Sequence, residues 1–206
     1  MNRVIAYIDG FNLYYGLKDS GWKRYYWLNI KMLAESLLKP GQRLETTKYF
    51  TSRVSSCIQN PDKGRRQGVY LEALATLSPF SIFYGHYLQK PLRCRNCGAC
   101  WNVHEEKMTD VNIAVELMTD AFQDRFDTAL LISGDSDLAG PITAVSRLFP
   151  TKRVVVAFPP NRNSAHLRTI AHAYFTIGRK KIADSQFPDR LTKPDGHVLQ
   201  RPINWT

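Results

Sequence analysis

The chain has 206 residues, 44% of them hydrophobic and 22% charged, which suffices for one compact α/β core and excludes a disulfide-dense miniprotein, a collagen-like repeat and a wholly disordered chain. Its 28 Lys and Arg against 18 Asp and Glu leave a net charge of +10, an excess that favours a polyanionic partner. The excess is uneven: residues 39–95 carry 10 basic and 3 acidic groups, whereas residues 96–178 carry 7 and 9, so acids gather inside a basic frame.

In chain order, residues 4–8 form a short apolar run that predicts a buried strand ending at Asp9-Gly10. Residues 27–38 carry an amphipathic helical pattern stopped by Pro40-Gly41, and residues 48–54 predict a second strand. Residues 59–67 are basic, a loop or helix start, and residues 68–77 are helical in pattern. Residues 80–88 are aromatic and β-prone, and a cysteine-bearing loop follows at 93–104. The strongest helical pattern spans 109–122, with Thr109 placed to cap it. Residues 128–132 predict a buried strand that closes on Ser133-Gly134-Asp135-Ser136-Asp137. A helix over 142–149, a buried strand over 153–158 and a helix over 165–175 complete the pattern.

Strands alternating with helices predict a mainly parallel central sheet covered on both faces, over residues 1–178. Residues 179–206 are rich in Pro and basic groups and predict a weakly ordered C-terminal extension. The first apolar run is too short for a signal peptide and none approaches a membrane span, so the expectation is a cytoplasmic protein with no membrane partner. A homodimer is left open.

Asp9, Asp135 and Asp137 stand at the carboxyl ends of two strands, and Asp110 stands in the first turn of the strongest helix. Carboxylates gathered in one crevice repel unless a cation shares them, and hard oxygen donors suit Mg²⁺ or Mn²⁺. The chemistry that follows is metal-assisted phosphodiester hydrolysis by activated water. Each acid also has a structural reading: Asp110 complements the helix dipole, Asp9-Gly10 is a common turn, and Asp137 can cap a helix, although Pro141 argues for a later helix start. Asn12 can reach back toward Asp9 if the turn is tight. No GxSxG, GxGxxG, Walker or HExxH motif is present.

Three segments carry a family resemblance: Tyr7-Ile8-Asp9-Gly10-Phe11-Asn12-Leu13-Tyr14, Glu106-Lys107-Met108-Thr109-Asp110-Val111-Asn112 and Leu131-Ile132-Ser133-Gly134-Asp135-Ser136-Asp137. In this order they resemble the signature segments of the LabA-like NYN-domain family, a branch of the PIN-like nucleases. The resemblance implies a three-layer PIN-like α/β/α sandwich, Mg²⁺ or Mn²⁺ at the acidic pocket, and endoribonuclease activity leaving a 5′-phosphate and a 3′-hydroxyl. Asp9, Asp110, Asp135 and Asp137 match the metal-binding acids. Asn12 and Ser133 would support them, and Lys107 would contact the scissile phosphate.

Cys94, Cys97 and Cys100 with His104 supply four candidate ligands for a structural Zn²⁺, with His86 as a substitute for one of them; reduced surface thiols are the alternative. Arg53, Lys63, Arg65, Arg66, Arg93 and Arg95 are interspersed with aromatic residues. That mixture suits single-stranded or looped RNA, with cations on phosphates and rings on unpaired bases. Tyr49, Phe50 and Tyr84 are expected instead as strand core. The expected function is a metal-dependent endoribonuclease. A non-catalytic RNA-binding module and a phosphatase acting on small phosphate esters are the alternatives.

Overall fold

The computed structural model describes residues 1–54, 61–94 and 96–205, with backbone alone at 87–92 and 101–106. The centre of the molecule is a six-stranded parallel sheet. β1 (Asn2–Asp9) lies between β2 (Gln42–Thr51) and β6 (Thr128–Ile132); β3 (Phe80–Tyr84) extends the β2 side, and β7 (Arg153–Phe158) then β8 (Ala173–Thr176) extend the other.

Alternation along β1 builds two cores. Val4, Ala6 and Ile8 pack with Leu13 and Leu17 of α1 (Gly10–Asp19), Leu33 of α2 (Ile30–Ser36) and Leu74 of α3 (Lys63–Leu74). Ile5 and Tyr7 point oppositely, onto Ile113 and Leu117 of α4 (Thr109–Phe122), Ile142 of α5 (Ala139–Leu148) and Leu167 of α6 (Ala165–Ile170). Because successive side chains of a strand face opposite ways, a β1 buried continuously from Val4 to Ile8 demands helices on both sides. The expected α/β/α sandwich is what forms.

Several local expectations shift. The run at 80–88 divides at Gly85, where an added Cβ would lie 2.6 Å from the Lys107 carbonyl oxygen and 2.8 Å from Ser52 Oγ. The chain turns there into an antiparallel hairpin, β4 (His86–Arg93) and β5 (Cys100–Lys107), so the cysteine loop is the tip of a ribbon. Thr109 does not cap α4: Met108 occupies that position with φ of 76°, and Thr109 is buried as the first helical residue. The helix expected over 165–175 breaks after Ile170, because Ala173–Thr176 gains a parallel ladder against residues 155–158.

The segment 179–206 differs most from expectation. It forms α7 (Arg179–Asp184) and a hairpin of β9 (Arg190–Thr192) with β10 (Val198–Gln200). Ile182, Phe187, Leu199 and Trp205 join the core on the α1–α3 side, and Trp27 Nε1 donates to the Pro188 carbonyl at 2.8 Å. Among the described residues no helix is long and apolar enough to cross a membrane.

Candidate functional site

The strand order reverses direction between β1 and β6. Helices leaving these two strands diverge to opposite faces and open a crevice beyond the strands' carboxyl ends. The register pairs Ile8 with Ile132, so Asp9 and Ser133 leave the sheet side by side.

Hydrogen bonds tie the two departing loops together. Asp9 caps α1: its Oδ1 accepts from the Asn12 amide at 3.0 Å, and its Oδ2 accepts from Ser133 Oγ at 2.9 Å. Ser133 Oγ accepts in turn from the Asp135 amide at 3.0 Å, and Asn12 Oδ1 accepts from the Gly134 amide at 2.9 Å. Asn12 and Ser133 are thus positioning residues on either side of Asp9. Gly10 makes the sharp exit from β1 feasible, since an added Cβ would meet the Tyr49 ring at 2.6 Å and the Phe50 carbonyl oxygen at 2.7 Å.

Asp9, Asn12, Asp110 and Asp135 line one cavity of about 270 Å³. Asp110 reaches it from the first turn of α4. Burial, then the charges of Asp135 and Asp137, push the Asp110 carboxyl up to about 6. Asp135 also caps the 3₁₀ turn Ser136–Leu138, its Oδ1 accepting from the Asp137 amide at 3.0 Å. Asp137 itself is exposed and outside the lining, acting on the cavity through its charge. Among the described residues no three His, Cys, Asp or Glu side chains converge on direct metal-holding positions. The acids nonetheless fit a cation that keeps several waters, as Mg²⁺ does: they are hard oxygen donors, mutually repelling, around a cavity with room for those waters.

Lys107 is exposed at the end of β5 and does not line the cavity. Arg162, which the sequence did not single out, does. Its guanidinium pairs with Asp19 and stands 5.8 Å from the Tyr15 ring. The available signal was its place in the loop after β7, since loops at strand carboxyl ends build such crevices.

The zinc expectation meets a different geometry. Cys94, Cys97 and Cys100 surround the hairpin tip, where the Cys94 amide donates to Ala99 and the Gly98 amide to Cys94. Hydrogen bonds from the Cys97 and Asn96 backbones and the Cys97 side chain hold the Cys94 thiol below its usual range. His104 pairs with Gln89 and His86 with Lys107. At about 3.4 Å per residue, these positions lie roughly 13 Å and 23 Å along the ribbon from its tip. Along the backbone, both histidine positions are therefore set back from the cysteine-bearing tip.

The basic candidates separate. Lys63 and Arg66 line a second cavity beside the acidic one, and Arg66 also lines a third concavity with Arg65, Asp189 and Arg201. Arg53 stacks its guanidinium 5.1 Å from the ring of Tyr84, which is exposed rather than core. Tyr49 and Phe50 are buried in the sheet as expected. Arg93 is exposed at the hairpin tip, and Arg95 lies outside the described residues.

A three-layer sandwich with an acidic crevice at its topological switch point defines the class of protein. Within it, the chain belongs to the NYN domain family, a member of the PIN-like superfamily, whose profile matches residues 3–178. A crystal structure of a protein of unknown function from Vibrio parahaemolyticus RIMD 2210633 superposes with a TM-score of 0.55 at 18% identity, covering 86% of this chain and 94% of that one. The chain is also 28% identical, over an alignment 242 positions long, to 6-hydroxy-3-succinoylpyridine 3-monooxygenase HspA of Pseudomonas putida (strain DSM 28022 / S16), covering 98% of this chain and 75% of that protein.

Proposed function

We propose that this protein is a Mg²⁺- or Mn²⁺-dependent endoribonuclease of the LabA-like branch, cutting RNA to leave a 5′-phosphate and a 3′-hydroxyl. The observation that carries the reading is the one cavity lined by Asp9, Asp110 and Asp135, where burial, then the charges of Asp135 and Asp137, push Asp110 up to about 6. Asp9, Asp110 and Asp135 would hold the divalent cation, which would supply activation of an attacking water and compensation for charge on the leaving oxygen.

The chain's own residues do the rest. Ser133 and the Asn12 amide fix both oxygens of Asp9, so that its carboxylate borders the cavity in one orientation. Asp135 is held by its amide contact to Ser133, and Asp137 adds negative charge at the rim. Arg162 would meet a phosphate oxygen inside the cavity, and Lys107 one at its edge. Lys63, Arg65, Arg66 and Arg53 follow the strand away from the crevice, with Arg93 at the tip of the ribbon. Because the sandwich positions Asp9, Asp110 and Asp135 at a strand end and at helix starts, the acids need little reorganisation when substrate arrives.

The test is cleavage of single-stranded and stem-loop RNA by purified protein with Mn²⁺, beside an Asp135→Asn variant and an EDTA control. The expected outcome is 5′-phosphorylated fragments from the native chain, with loss of at least about a hundredfold in rate in the variant, as for removal of a transition-state-stabilising group. Equal cleavage by both proteins, or none by either, overturns the proposal. RNA retained equally with and without EDTA and never cut would assign a non-catalytic binding module instead.

A second reading comes from the pyridine monooxygenase relative, which spans nearly all of this chain. Under it the protein oxidises a small hydroxypyridine with dioxygen and a two-electron reductant. Oxygen consumption dependent on such a substrate, in a preparation that leaves RNA intact, would favour it.

A further inference from the structure

Beside the acidic cavity lies a second one of about 120 Å³, between α1 and α3. Phe11 and Tyr15 line both. These two rings are one helical turn apart and stacked at 6.3 Å, so they form a common wall. Away from the acids the second cavity is walled by Tyr14, Tyr26, Tyr70 and Trp205. The Tyr14 and Tyr26 rings are 5.0 Å apart and the Tyr26 and Trp205 rings 5.8 Å. Each ring fixes the next, so the faces are ordered before any ligand arrives.

The dimensions and the charge define the occupant. The volume is close to that of an apolar cavity of about 150 Å³ that accepts benzene, so one flat ring fits. Lys63 and Arg66 stand on the same lining, and Arg66 is near enough to oppose the upward push that burial gives the Tyr14 hydroxyl. Flat faces flanked by cations, one wall away from an acidic crevice, match a base joined to a phosphate backbone. A paired base is stacked inside its duplex and cannot enter such a slot, whereas an unpaired one can.

We propose that this aromatic cavity holds one unpaired nucleobase of an RNA strand whose adjacent phosphodiester reaches the acidic crevice, with Lys63 and Arg66 on neighbouring phosphates. The inference rests on the ribonuclease reading and adds a substrate rule to it: cleavage falls beside a single-stranded nucleotide.

The test uses the full chain carrying Asp135→Asn, so that RNA is bound without turnover, and a short single-stranded RNA in which an abasic residue is moved one position at a time. Affinity is read by fluorescence anisotropy. One position is expected to lose roughly 5- to 100-fold, the range that stacking of one base on aromatic rings supplies. Tyr14→Leu should remove the difference between intact and abasic RNA while leaving affinity for the abasic strand unchanged; Tyr14→Phe, which keeps the ring, should retain it. Equal affinity at every abasic position, or a Tyr14→Leu loss that is the same for both RNAs, overturns the proposal. Saturation by a free hydroxypyridine with no RNA binding also overturns it, and assigns the cavity to a small molecule. If the native chain with Mn²⁺ leaves RNA uncut yet one abasic position is sensitive, the base site stands and the nuclease reading falls. If RNA is cut and no position is sensitive, only the base site falls.

Discussion

Burial and the charges of Asp135 and Asp137 raise the Asp110 carboxyl from its usual range to about 6. Between about pH 4 and 6 the folded chain therefore holds a proton that the unfolded chain has released, and stability falls as pH rises through that window. Below about pH 4 the group is protonated in both states and contributes nothing; above about 6 its full cost is present. Asp110→Asn removes that cost. Discounted for screening at a half-exposed site, the gain is about 1 to 2 kcal/mol at pH 8, or roughly 2 to 8 °C in Tm for a chain of this size. Thermal melts in EDTA should show the variant more stable at pH 8 and equal to the native chain at pH 4. Added Mn²⁺ should reverse the order at pH 8, because only the native chain gains the full binding free energy. A variant less stable than the native chain in EDTA at pH 8 would mean that the carboxylate serves the fold rather than a cation.

At the scale of elements, α4 is anchored by a buried ion network that presents its N-terminus to the crevice. Lys48 Nζ, from β2, donates to Asp120 Oδ2 at 2.5 Å and to Glu116 Oε2 at 2.6 Å, while the Tyr7 hydroxyl, from β1, donates to Asp120 Oδ2 at 2.6 Å. Burial, reinforced by Asp120, pushes the Tyr7 hydroxyl far above its ordinary value. Lys48→Met leaves Asp120 a buried charge with too little compensation, which should cost about 3 to 5 kcal/mol, whereas Lys48→Met with Asp120→Leu should recover most of it. Urea midpoints of the single and double variants check this; equal losses in both would sink the network account. The pairing of Lys48 with Glu116 and Asp120 did not stand out in the sequence. Lys48 and Asp120 are 72 positions apart and join only through the crossover from β2 to α4, whereas Asp9, Asp110 and Asp135 were legible because strand ends and helix starts are local signals. The ribbon was missed for a related reason, since its pairing from His86 to Lys107 depends on register rather than on composition.

For the molecule as a whole, the sandwich was legible from alternating apolar runs, but its last layer was not. Residues 179–206 carry little periodicity, and their order comes from a few large side chains meeting a surface that β1, α2 and α3 have already built. Trp205 is the clearest case: its ring lies 5.8 Å from Tyr26, 6.0 Å from Tyr70 and 6.3 Å from Trp27. Arg201 bonds the carbonyls of Arg24 and Trp205 and closes the segment over that cluster. Trp205→Ala should cost about 3 kcal/mol, at the low end for a buried Trp because the segment can partly detach, or roughly 6 to 12 °C in Tm. Near-ultraviolet circular dichroism followed on heating would register it through the loss of ordered aromatic signal. If the segment were the loose extension that its composition implies, Trp205→Ala would leave the melt unchanged, and the native chain would show Trp205 quenched freely by iodide. Protection of that indole from iodide, together with the lowered Tm, is expected because the same ring closes both the core under β1 and the aromatic cavity beside the crevice.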